Sequence, residues 1–175
     1  CQAPLTTERV QALLKPSGVK VPRSAAATET NVVKGSRELL LSWTPPVNPP
    51  SYSIPRTAMD RAALISVPQL LSQHNWAEDA PRQRDPQLSE ELILVVGLDA
   101  EGVLRSWTLI NDPRILRTEG PTPSGQLGGQ VLQRQAVEFN VVLPADPAIT
   151  SLRLYKPVWD GKEFQLDLLT ETILQ

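Results

Sequence analysis

The chain has 175 residues, 41% of them hydrophobic and 21% charged, with a formal charge of −2 at pH 7, which is enough material for one domain with a real core. A sequence pI near 5.5 removes the broad basic surface that phosphate neutralisation requires, so nucleic acid is not expected as a partner. The longest apolar run, Leu92–Leu98 with Gly97 inside it, is far short of the roughly 20 residues that span a bilayer as a helix. Seventeen prolines, about twice average usage, disfavour long helices.

The single cysteine is Cys1, which rules out an intramolecular disulfide and argues against a cysteine-based zinc site. The start Cys1-Gln2-Ala3-Pro4 resembles the processed N-terminus of bacterial lipoproteins. In that family a signal peptide is removed just before a cysteine whose thiol carries diacylglycerol. The resemblance implies lipid attachment at Cys1, and Gln2, in place of the Asp that favours inner-membrane retention, implies the outer membrane facing the periplasm. Residues 1–36 then form the anchor and tether. Within them 5–14 (LTTERVQALL) fit a short helix capped by Thr6 or Thr7, with Val10, Leu13 and Leu14 on one side and Pro16 ending it. Residues 15–36, rich in Ser, Thr, Ala, Lys and Pro, read as a polar spacer.

Residues 37–175 read as an antiparallel β-sandwich with an irregular insertion at 45–90. The first strand is 37–44 (RELLLSWT), with Leu39, Leu41 and Trp43 on one face, stopped by Pro45-Pro46. Five prolines within 45–55 predict an extended, polyproline-like loop. Residues 57–73 leave two options open: two short helical turns, from the capping spacings Thr57/Asp60 and Ser66/Gln69, broken at Pro68, or a strand over 62–67. Residues 74–85 have no period and read as loop.

From Glu91 strands recur at short intervals. Residues 91–98 are apolar on both sides and predict a strand buried on both faces. Asp99-Ala100-Glu101-Gly102 is a turn, 103–110 the return strand, 114–118 an edge segment and 120–130 a mobile loop. Residues 137–143 alternate and predict a half-buried strand; 150–156 and 164–174 form the last pair around Asp160-Gly161. Short strands at this spacing without a long helix point to a sandwich. Leu41-Ser42-Trp43-Thr44-Pro45-Pro46 resembles the B-strand of fibronectin type III domains, and 98–104 (LDAEGVL) is similar to hairpins of secreted immunoglobulin-like domains. The insertion at 45–90 departs from that pattern. The resemblance implies an Ig-like fold over 37–175 and no particular ligand.

No catalytic, cofactor or metal site is expected. His74 is the lone histidine; Ser72 and Asp79 lie near it in sequence, but no G-x-S-x-G motif occurs. Asp99, Glu101 and Asp112 lack calcium-loop spacing, adjacent Glu90 and Glu91 on a strand point to opposite faces, and 125–129 (GQLGG) lacks the Lys of a phosphate loop. The expectation is a non-enzymatic envelope lipoprotein that binds another envelope protein, with Pro46, Pro49, Tyr52, Trp76 and Trp159 as candidate contacts. The alternatives are a carbohydrate-binding module stacking sugars on exposed Trp76 and Trp159, and an accessory or inactive enzyme-like domain.

Overall fold

Alternation in the sequence becomes layering in space. A computed structural model describes residues 4–21, 34–43, 68–121, 123–133 and 136–174. Over these the chain is mainly β, with antiparallel sheets and one short helix: α1 (Thr7–Leu14), β1 (Ser36–Trp43), β2 (Gln69–Trp76), β3 (Leu92–Leu98), β4 (Leu104–Asn111), β5 (Ile115–Pro121), β6 (Leu127–Gln133), β7 (Val137–Pro144), β8 (Ser151–Trp159) and β9 (Phe164–Ile173). One sheet has the order β2-β1-β7, a second the order β4-β3-β8-β9, and β5 and β6 pair as a separate ribbon.

Two apolar clusters explain why β3 lacks a polar face. Ile93 and Val95 join Leu39, Leu41 and Trp43 of β1, Val141 and Leu143 of β7, and Leu152 and Leu154 of β8 in a cluster shared by the two larger sheets, as expected of a sandwich. Leu94, Val96 and Leu98 point the other way and meet Val10 and Leu14 of α1, together with Leu5 and Val19. The helix therefore covers the outer face of the four-stranded sheet, and β3 is buried on both sides as its sequence predicts. Thr6 caps α1, its hydroxyl accepting from the Arg9 amide at 3.3 Å.

The segment read as anchor and spacer is folded over much of its described length. Val10 and Leu14 are fully buried, and a 3₁₀ turn over Lys15–Ser17 leads through left-handed Gly18 to Lys20, which bridges to Val103. Pro16 does not interrupt this passage, because the first turn of a helix tolerates a residue without an amide hydrogen.

Other expectations change. Residues 69–76, divided above between a helical turn and a loop, form β2. Only backbone pairing with β1 makes this a strand; its side chains are almost all exposed, so the sequence shows no alternation. Residues 120–121 and 127–130, read as mobile loop, belong to β5 and β6, where Gly120 faces Gly128 and Glu119 faces Gly129. Strand β8 runs past Pro157 to Trp159. Pairing with β3 ends at Tyr155, so the missing amide of Pro157 breaks no bond to that strand. The turn at 99–102 forms as expected, with Asp99 Oδ1 accepting from the Glu101 and Val103 amides and Gly102 at φ +78°. The proline-rich segment 45–55 and the ambiguous stretch 57–67 lie outside the described residues.

Candidate functional site

Strand β2 builds one wall of a groove on the surface. Register with β1 places Leu70 opposite Leu41, Gln73 opposite Leu39 and Asn75 opposite Arg37, so these side chains share the inward face. Beyond them stands β9, and between the two edge strands lies a groove of about 820 Å³ lined by Leu70, Gln73, Asn75, Arg37, Thr172 and Ile173, among others. Arg37 ties β1 to the segment before β8 by donating to the Ile149 carbonyl at 3.3 Å. Leu71 and Ile173 are exposed at the groove, 52% and 69% respectively. Leu71 is the extra residue of a bulge, since Leu40 faces Ser72 while Leu41 faces Leu70.

The opposite face of β2 carries Ser72, His74 and Trp76, which face Leu40, Glu38 and Ser36. The His74 ring meets the Trp76 indole edge-on at 4.3 Å, and half of Trp76 is exposed. Nothing joins His74 to a nucleophile or carboxylate by a hydrogen bond among the described residues. The Asp79 carboxylate accepts from the Gly35 amide at 2.8 Å, fixing the left-handed turn, φ +90°, that leads into β1.

Trp159 sits elsewhere. Its indole packs edge-on against Phe164 at 5.0 Å, and its amide donates to Glu90 just before β3. Trp76, by contrast, pairs with Ser36 beside Arg37, whose partner Ile149 adjoins the far end of β3, where the Thr150 amide donates to Leu98. About 20 Å of strand separates the two ends, so the two indoles do not form one platform. Trp43 is core, and Trp107 is half-buried with its indole N–H donating to the Thr7 hydroxyl. Cys1, Pro46, Pro49 and Tyr52 lie outside the described residues.

A second polar cluster closes the Trp43 end. Asp112, 3% exposed, accepts from Arg114 Nε and Nη2 at 3.1 and 2.9 Å, from the Arg114 amide at 3.0 Å and from Lys156 Nζ at 3.0 Å. Burial pushes this carboxyl up, but the hydrogen bonds from Arg114 and Lys156 and the lysine charge outweigh it and hold it below the ordinary carboxylate range. The Arg114 guanidinium in turn lies 3.7 Å over the Trp43 ring. Every acceptor direction of Asp112 is thus occupied, which makes it a tie between β4, β8 and the β5–β6 ribbon.

Sequence reasoning located Trp76 but not the strand that carries it. The only local signals for β2 were the apolar pair Leu70-Leu71 after Pro68 and the absence of Asp, Glu, Lys, Arg and proline from 69–76. Comparison with family models, with curated proteins and with solved structures finds no match for this chain.

Proposed function

We propose that this chain is the binding domain of a non-enzymatic envelope lipoprotein, anchored through acylated Cys1, that receives another envelope protein in the groove between β2 and β9. The observation that carries the reading is the groove itself: two neighbouring edge strands from different sheets, with Leu71 and Ile173 exposed beside it. Main-chain groups at an edge and side-chain pockets beside it suit an extended polypeptide segment better than a small ligand. A carbohydrate platform on Trp76 and Trp159 is less favoured, because the two indoles stand at opposite ends of the fold.

The folded helix adds a geometric consequence to this reading. Buried Leu5 lies four residues from Cys1, a reach of no more than about 14 Å of extended chain. In this reading, lipid on Cys1 holds α1 and the four-stranded sheet close to the headgroups. Two or more acyl chains supply stable anchoring.

The test has two arms. Mass spectrometry of the native N-terminus is expected to find diacylglyceryl on Cys1, and Cys1→Ser is expected to release the protein from membranes. A photo-crosslinking residue in place of Leu71 is expected to give discrete protein adducts in cells, whereas one in place of Glu101, on the β3–β4 turn at the opposite edge of the four-stranded sheet from β9, gives none. An unmodified cysteine preceded by ordinary residues ends the anchoring claim, and absence of adducts at position 71 ends the groove claim.

A further inference from the structure

Among the described residues, the four edges of the two larger sheets are not equally protected. Edge strand β4 is covered twice: Lys20 brackets its start, donating to Gly102 and accepting from Leu104, while the Gln83 side-chain amide both donates to the Leu109 carbonyl and accepts from its N–H, as a neighbouring strand would. Edge β9 carries Asp167 and Glu171, and edge β7 carries Glu138 and ends at Pro144. These are recognised devices against edge-to-edge pairing. Edge β2 (QLLSQHNW) has no Asp, Glu, Lys or Arg and no proline. Its one irregularity, the bulge at Leu71, lies toward its start and leaves 72–76 as a regular ladder with β1.

We propose that the occupant of this edge is β2 of a second copy of the chain, paired antiparallel about a two-fold axis at His74. This rests on the reading of the groove as a protein-binding site and names the partner. In that register Ser72 meets Trp76 of the second copy, Gln73 meets Asn75, and His74 meets His74. The inward row is then a pair of amides on each side of the axis, and amides both donate and accept, so the row is complementary to itself. The outward row brings two existing His74–Trp76 ring pairs together across the axis, and aromatic cross-strand pairs stabilise sheets. Charge favours this occupant too: β2 presents no Asp, Glu, Lys or Arg, so no permanently charged side chains are placed opposite one another when the strand meets itself. The two three-stranded sheets become one six-stranded sheet, β7-β1-β2-β2-β1-β7, through an isologous contact that closes and so does not propagate.

Sedimentation equilibrium of the purified chain tests the proposal, with expected reversible formation of a species of twice the 19.2 kDa mass. His74→Lys, which places like charges on the axis, is expected to weaken association about tenfold, and His74→Glu, which does so with the opposite sign, to weaken it likewise. Because His74 is exposed, both variants are expected to keep the wild-type melting curve, which separates loss of pairing from loss of fold. In a Cys1→Ser background, His74→Cys is expected to oxidise to a covalent dimer, since facing residues of antiparallel strands have Cα atoms within disulfide reach; Leu168→Cys on β9 is not. A monomer at all concentrations, or a dimer indifferent to both substitutions, overturns the proposal. Crosslinks from position 71 to a different protein alongside a monomeric chain overturn self-pairing while the groove reading stands.

Discussion

Replacing Asp112 by Asn tests how this fold is held at its Trp43 end. The substitution keeps the shape of the side chain and one carbonyl oxygen, which still accepts from the Arg114 amide. It removes the charge that balances two cations and turns an NH₂ group toward Arg114 or Lys156, donor against donor. Removing one member of a buried ion pair costs about 3–5 kcal/mol. The Arg114 and Lys156 side chains are 26% and 20% exposed, so water takes over part of their solvation, and about 2–3 kcal/mol is the better expectation. For a chain of this size that is a fall in Tm of about 4–10 °C. Urea unfolding at several pH values supplies the sign. The Asp112 carboxyl is held below its ordinary value in the folded state, so its contribution is complete above the unfolded pKa of about 3.9 and is lost as pH falls through the lower folded value. Wild type and Asp112→Asn should therefore differ fully at neutral pH and converge in acid. A difference below about 0.5 kcal/mol at neutral pH, or one that persists unchanged in acid, refutes the reasoning.

Leu14→Ala, at a fully buried position of α1, should cost about 2–4 kcal/mol in urea unfolding; a neutral result would return residues 4–21 to the status of a tether. Gly97→Ala puts a Cβ 2.9 Å from Ser106 Oγ and 3.1 Å from Ile149 Cγ2, an overpacking expected to destabilise by about 1–3 kcal/mol in calorimetry. Gln83→Ala removes both amide bonds to Leu109, with an expected loss of about 1–2 kcal/mol. Hydrogen exchange at the Leu109 amide should quicken in the same variant, and unchanged protection there would mean that Gln83 does not cover the edge.

Much of the architecture was legible because burial writes a period into a strand. Leu39, Leu41 and Trp43 announced the inward face of β1, and the continuous apolar run of β3 announced two covered faces, although not that α1 supplies the second cover. The last hairpin was equally plain from Asp160-Gly161, where Asp160 accepts from the Lys162 and Glu163 amides and Gly161 takes φ +99°. Local chemistry settles such elements: side-chain alternation, turn residues and caps act within a few positions.

What the sequence determined alone, then, is the β class, the antiparallel pairs joined by short turns, and the core faces of β1, β3 and β7. Tertiary structure decided the rest, since it depends on which distant segments meet. Strand β2 exists because β1 offers it a backbone ladder, and its exposed side chains carry no record of that ladder. Residues 4–21 belong to the fold because one face of the four-stranded sheet would otherwise be bare, although their composition reads partly as spacer. The groove has no sequence signature at all: it arises where edge strands of two sheets, separated by nearly a hundred residues, come to stand side by side.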